Sequence, residues 1–520
     1  MKTRWKILLG FCVVAAVVAI AAIARHYQLK MAVARYCAEL KAKGEPMDLA
    51  QVIPPPVSPE KNSAPLFWKA VALFTTNDDV LTTNWPAAMH GISPGNAAIA
   101  WAQLEIRDGY SNSTNSWNQL QTALAQNRGA FNLLNQITNN AAFDLNLQYT
   151  QRFEMRITNL LFEKKAAQKL SANAIYDLHS GDAVSAAKNV RTILALVNGT
   201  SDERTVISQL VRIAIAQIAA ADTWELLQST NLTDESLAEL QGCWSQAEFI
   251  QALKRAFPLE REGALTMVAK WRSSNSALQH YFDLEKQVRT VVGNDGNDEE
   301  GSFWKKAALK TEIFLWRYWW SYPDELRYLK GYDVLANAVK FAETNNSYQI
   351  ALQYQNSELD RLGISELTSS FDALLSGKTD FHSMISESIV TLGNVTRKVM
   401  QVEVAKQTAI TAIALKRYQL KHGNYPADLN SLAPEFLSAV PLDPVDGKPL
   451  RYKLNSDGTF LLYSVGENGA DDGGNPALEK GVKSSSYYWQ NPHALDWVWP
   501  QPATEAEIQA YYDRQAKNSE

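Results

Sequence analysis

Seven histidines, His26, His90, His179, His280, His382, His422 and His493, are the first residues to test for chemistry, and none lies within five residues of another. No His-Glu-x-x-His helix exists to hold zinc, no Gly-x-Ser-x-Gly elbow to present a nucleophile, and no glycine-rich phosphate loop ending in Lys-Ser/Thr. Adjacent carboxylates occur at Glu299-Glu300 and Asp471-Asp472. Neighbouring positions seldom converge on one substrate, so neither pair marks an acid–base couple. The stretch "VVGNDGNDEEGS" at 291–302 carries calcium-type oxygens, but its alternating ligands and distal Glu are out of register, and it reads as an acidic surface loop. "FLWRYWWSYP" places Trp316, Trp319 and Trp320 on one helical face by i, i+3, i+4 spacing. Core packing is the favoured reading of that cluster; a glycan or membrane-interface platform is the alternative.

The elements that would position such groups follow from composition. A chain of 520 residues is too long for one ordinary core, so two or three domains are expected. A hydrophobic share of 46% with 20% charged residues describes a globular protein, and a formal charge of -5 argues against broad nucleic-acid binding, which needs a basic face. Three cysteines, Cys12, Cys37 and Cys243, form no metal spacing and no disulfide framework; Cys37 and Cys243 pair only if the fold brings them together.

Lys2, Arg4 and Lys6 precede an uncharged apolar run at 7–24. As a helix that run spans about 27 Å, close to the roughly 30 Å hydrocarbon core of a bilayer. Ala22-Ile23-Ala24 also fits a signal-peptidase site, so a cleaved signal is the alternative to an uncleaved anchor. The run exceeds most signal cores and Arg25 follows at once, which favours the anchor. Positive charge is nearly balanced across the run, with Arg25, Lys30 and Arg35 beyond it. The expected topology is a single-pass protein of an inner membrane, its bulk extracytoplasmic (periplasmic). The rival stretch at 303–320 carries Lys305, Lys306, Lys310, Glu312 and Arg317, which makes it a soluble or interfacial helix.

The expected fold is mainly α, with four segments: a cytoplasmic tail and transmembrane anchor at 1–27, a helical stalk and proline-rich linker at 28–65, an all-α helical-hairpin domain at 66–390, and a small α+β module with an antiparallel hairpin and aromatic tail at 391–520. Between 160 and 250 the pattern is helix, Gly181 stop, Asp182 start, helix, Gly199 stop, then helices behind Asp202 and Thr233. These hairpins resemble tetratricopeptide-like helical repeats; a non-repeating bundle is the alternative. In the last segment a long amphipathic helix carries Val399, Val402, Ala409, Ile413 and Leu420 on one side. Gly423 ends it, Pro426 forbids its continuation, and Asp428 caps a short helix. "LRYKL" and "TFLLYSV" alternate as strands joined at "NSDG".

Three motifs lie in this region: Tyr418-x-x-x-x-Gly423-x-Tyr425-Pro426, Pro441-x-Asp443-Pro444-x-x-Gly447-x-Pro449-x-x-Tyr452, and Tyr463-Ser464-x-Gly466-x-Asn468-Gly469. Together they make residues 395–474 resemble the globular domain of the major pseudopilin of type II secretion systems. The family's processing site is not reproduced: Gly10-Phe11 lies inside the apolar run, and Ala15 occupies the place of the family's glutamate. About 370 residues separate the apolar run from the module, which argues against the family's mode of polymerisation. The resemblance implies calcium in the loop after the last matching strand, where Glu467, Asn468, Asp471 and Asp472 offer hard oxygens; a solvated acidic turn is the alternative. The expectation for function is a membrane-anchored structural or protein-interaction component, associated with a type II secretion or pilus-like system and binding unidentified protein partners. An anchored enzyme acting on cell-envelope polymers is the alternative.

Overall fold

The structure is a computed structural model and describes residues 2–75, 81, 86–107, 114–137, 142–274, 276–278, 311, 313–364, 383–482 and 487–519. The acidic stretch at 291–302, His280, His382 and the three lysines of 303–310 lie outside the described residues. The protein is mainly helical, with an N-terminal apolar helix and small sheets that include an antiparallel hairpin near the C-terminus. The chain divides into two compact units. One comprises Met1–Ile53, Phe257–Ala338 and Leu352–Thr396; the other comprises Pro54–Ala256, Val339–Ala351 and Arg397–Glu520.

The helices in chain order are α1 (Lys2–Ala42), α2 (Leu49–Val52), α3 (Ala64–Leu73), α4 (Trp117–Gln126), α5 (Arg128–Leu134), α6 (Asn159–His179), α7 (Ala183–Gly199), α8 (Val206–Leu227), α9 (Asp234–Ser245), α10 (Phe249–Ser273), α11 (Ser321–Asn345), α12 (Tyr348–Arg361), α13 (Ser388–His422) and α14 (Glu505–Ser519).

In the first unit α1 runs without a break through the apolar stretch and the expected stalk. Residues 12–21 of this helix are all exposed. From Ala22 onward a stripe of His26, Leu29, Val33, Cys37 and Leu40 turns inward, at the three- and four-residue spacing of one helix face. Val33 and Leu40 are buried there. The core of this unit holds Trp271, Trp316, Tyr328, Tyr332, Leu335 and Ile389. Arg261 is buried beside them; it donates to the Pro46 carbonyl at 2.7 Å and lies over the Tyr332 ring.

In the second unit the antiparallel hairpins α6 to α9 form as the sequence expects, with two corrections at their ends. Gly181 adopts φ +82°, which costs glycine little, and Asp182 accepts from the Ser185 amide at 3.0 Å. The third helix starts behind Thr205, not Asp202, because the Thr205 hydroxyl reaches the Ser208 amide at 3.1 Å. Gly199 ends inside α7 with Thr200 as the cap, so it supplies no left-handed stop. Thr233 caps α9 as expected. Ile193, Leu194, Ile215, Ala219, Trp224, Leu240 and Trp244 pack the interior. The second long apolar helix, α8, is also of membrane-spanning length, but 61% of its apolar stretch is buried, so it is a core helix.

The segment expected to be all-α contains strands. β1 (His90–Ser93) pairs antiparallel with β2 (Asn96–Ala98), and β3 (Ile106–Arg107) with β4 (Thr114–Asn115). These strands have two to four residues each, too short for alternation to show in sequence. β5 (Arg451–Leu454) and β6 (Phe460–Ser464) form the expected hairpin, closed from the Asn455 amide to the Thr459 carbonyl at 2.8 Å. The aromatic tail packs back on it: β7 (Trp497–Val498) adds to β6, Trp497 and Trp499 are buried, and β8 (Gln501–Pro502) joins β2 in parallel. Along α13, Val399, Val402, Ala409 and Ile413 are buried, but Leu420 is 41% exposed, so the buried side ends about two turns before the helix does. Gly423 then takes φ +82° and Asp428 caps the short turn Leu429–Leu432 at the Ser431 amide.

Candidate functional site

The turn that follows β6 carries Glu467, Asn468, Asp471 and Asp472; each side chain has a partner, while Glu467 Oε2 is buried without one among the described residues. Glu467 is ion-paired with Arg397. Asn468 Oδ1 accepts from the Ala470 amide at 2.9 Å, while its Nδ2 donates to Asp472 at 3.2 Å. Asp471 accepts from the Tyr463 hydroxyl at 2.9 Å, the Gly473 amide at 3.1 Å and Arg451 Nε at 3.3 Å. Among the described residues no three His, Cys, Asp or Glu side chains are grouped to hold a metal.

Arg451, which the sequence reading passed over, is the centre of this corner. Its guanidinium donates to Asp443 at 3.1 Å, to Asp446 at 2.6 Å and to Asp471. Asp443 is completely buried and also accepts from the Ser464 hydroxyl at 2.8 Å, the Val445 amide at 2.9 Å and the Val465 amide at 3.0 Å. Burial pushes the Asp443 carboxyl up in spite of these donors. At Asp446 burial acts the same way, but Arg451 and the Lys448 amide together outweigh it and hold the carboxyl below its ordinary range. The three motifs singled out in sequence meet here: the Tyr452 hydroxyl donates to the Pro426 carbonyl at 2.7 Å, and the Tyr425 ring stands edge-on to Phe460 at 4.8 Å. The usable signal for Arg451 was an arginine two residues after Pro449, facing two aspartates held in turns.

The tryptophan cluster divides instead of sharing a face. Trp316–Trp320 form a π-turn, whose wider winding shifts the phase of residues three and four apart. Trp316 is fully buried, edge-on to Trp271 at 5.9 Å, and its Nε1 donates to Asp324 at 3.3 Å. Trp319 is instead 42% exposed, beside Tyr318 at 50% and Phe314 at 55%. Asp324 also accepts from the Ile385 and Ser386 amides, both at 3.1 Å, and from the Ser386 hydroxyl at 2.8 Å. It is a structural clasp, its carboxyl pushed up to about 6 by burial.

Other carboxylates lie deep in the helical hairpins, where sequence reasoning placed no site. Glu225 accepts from the Met89 amide at 2.8 Å and the Ala100 amide at 3.0 Å, and burial pushes it up to about 8. Asp222 accepts from the Ser171 hydroxyl at 2.7 Å. Glu163 and Glu203 form a pair sharing Asn159, whose Nδ2 donates to Glu163 at 2.9 Å and to Glu203 at 3.5 Å. Burial is the leading cause that raises both; Glu163 reaches about 7, and the neighbouring Glu163 charge raises Glu203 further. Two carboxyls held this way share a proton, the arrangement of an acid–base pair. Both are buried, however, at 2% and 4% exposure, so the pair offers no face to a substrate. Acids inside "IAAADTWELL", the most apolar hairpin helix, were the available signal.

The described histidines stay dispersed. His26 bonds the Tyr318 carbonyl, His179 stacks on Trp117 at 3.7 Å, His422 packs on Tyr418 and His493 approaches Glu479. A hollow lined by Pro94, Pro476, Tyr487, Trp489 and Val498 has about 20 Å³, room for one water. All three cysteines are free, with Cys12 exposed, Cys37 half-buried and Cys243 buried. No family model matches the chain, and it matches no curated protein and no solved structure.

Proposed function

We propose that the chain is a single-pass membrane-anchored protein whose folded body lies outside the cytoplasm and acts as a structural or protein-interaction component. The observation that carries this reading is α1: one uninterrupted helix, exposed from Cys12 through Ala21, its second half seated in the body of the first unit. A soluble protein leaves few such apolar surfaces in water, and Val13, Val14, Val17, Val18, Ile20 and Ile23 are all more than half exposed. A bilayer removes that cost.

Association with a type II secretion or pilus-like system is the finer proposal, supported by two bonds that join the motifs: the Tyr452 hydroxyl to the Pro426 carbonyl, and the Ser464 hydroxyl to Asp443. An enzyme acting on cell-envelope polymers would need Trp316 or Trp319 to line a groove with facing carboxylates. Trp316 is buried against Trp271 and spends its donor on Asp324, which disfavours that reading. The test is protease accessibility in intact spheroplasts of a Gram-negative host expressing the full chain. Protease added outside digests the body and leaves a membrane-bound fragment containing α1; a body protected until lysis refutes the topology. Copurification of secretion components with the detergent-solubilised chain tests the finer proposal.

A further inference from the structure

The apolar run ends at residue 24, and His26 lies two residues, or about 3 Å, further along the same helix. Each polar headgroup layer is roughly 5–7 Å thick, so whatever touches His26 stands at headgroup level. What touches it is the aromatic π-turn. His26 Nδ1 hydrogen-bonds the Tyr318 carbonyl at 2.9 Å, and the His26 ring stands edge-on to Tyr322 at 5.0 Å. On the same turn, Trp316 and its bond to Asp324 fix the backbone from inside, while Phe314, Tyr318 and Trp319 remain 42–55% exposed. Phe314 and Tyr318 pack on each other, with ring centroids 4.7 Å apart. Arg25 and Lys30, exposed within a turn of His26, bring positive charge to the same level.

We infer that Phe314, Tyr318 and Trp319 are an interfacial seat, inserted at the headgroup–acyl boundary of the bilayer that α1 crosses. The inference rests on the anchor reading and deepens it: besides a tether, the body has a face that rests on the lipid. Aromatic side chains with one apolar and one polar end are favoured at that boundary, where the ring leaves water while the hydroxyl or indole N–H keeps a partner. Continuity with the apolar helix selects the occupant, because a partner protein or glycan would have to displace headgroups to reach a surface two residues beyond the membrane span. Such a seat fixes the orientation of the first unit on the membrane, which a lone helical tether leaves free to swivel.

The test uses the full chain with 5-fluorotryptophan incorporated, in nanodiscs of phosphatidylcholine and phosphatidylglycerol. Trp5→Phe and Trp319→Phe assign the fluorine resonances of Trp5, at the opposite end of the apolar run, and of Trp319. A lipid carrying a nitroxide near the headgroup is then compared with a water-soluble paramagnet. The expected result is that Trp5 and Trp319 both lose most of their intensity to the lipid-borne nitroxide, and that Trp319 is shielded from the soluble agent. If Trp5 responds to the lipid but Trp319 responds only to the soluble agent, the seat is refuted and the anchor stands. If neither responds to the lipid, the anchor reading fails and the seat falls with it.

Discussion

Replacing Glu163 with Gln should stabilise the protein at alkaline pH and leave it nearly unchanged in acid. The ordinary glutamate value is 4.5, and burial raises Glu163 to about 7, although hydrogen bonds to Asn159 and Glu203 pull it back. Between those values the folded chain holds a proton that the unfolded chain has released, so stability is fully present below about 4.5 and falls as pH rises. At about 1.4 kcal/mol per pH unit, the rise amounts to a penalty of about 3 kcal/mol above pH 7. The two groups titrate as a pair, so the loss continues as the proton retained on Glu203 comes under strain. Gln keeps the shape, still accepts from Asn159 through Oε1, and can donate through Nε2 to Glu203, so it removes the ionisation without opening a cavity. Thermal unfolding of the detergent-solubilised full chain from pH 4.5 to 8.5 is the assay. The variant's midpoint should match the wild type near pH 4.5 and exceed it by several degrees at pH 8.5, at roughly 2–4 °C per kcal/mol. Glu203→Gln should diverge in the same direction, because burial raises Glu203 as well. Parallel midpoint curves, or a variant weaker than wild type at pH 8.5, would refute the shared-proton reading of the pair.

Arg451→Ala should cost about 3–5 kcal/mol, because it leaves Asp443 buried without its counter-charge; a loss below about 1 kcal/mol in chemical denaturation would show the network to be dispensable. Calcium and a chelator should leave the wild-type melting midpoint where it is, since Arg397 and Arg451 already neutralise Glu467 and Asp471; a calcium-dependent rise in melting temperature would contradict this. Gly91→Ala should lose about 1–3 kcal/mol, because its new Cβ would clash with the Tyr487 carbonyl oxygen. Gly181→Ala, at φ +82° with no atom nearby, should lose only about 1 kcal/mol of backbone strain, so equal losses at the two sites would overturn the steric argument.

The features legible in sequence were those written locally. An uncharged run of helix length, the caps at Asp182, Thr233 and Asp428, the break at Gly423-Pro426 and the alternation of "LRYKL" with "TFLLYSV" each depend on a few neighbouring residues. Chain stiffness and hydrogen-bond supply act over that same range. Asp202 was misread for the same reason: a good capping residue lay three positions before Thr205, and only the path of the turn decides which one caps. The short strands β1 to β4 escaped notice because partners, not alternation, make a two-residue strand.

Tertiary structure decided everything that joins distant parts of the chain. Glu163 and Glu203 become a pair only when α6 lies beside the turn entering α8, and Arg451 becomes a counter-charge only when β5 passes Asp443 and Asp471. The π-turn sends Trp316 inward and leaves Trp319 outside, a division invisible to any regular helical spacing. Sequence sets which groups are present and how each short stretch prefers to bend. Which charge meets which, and which aromatic face reaches water or lipid, follows from long-range packing, because burial and Coulomb energy depend on distance in space and not along the chain.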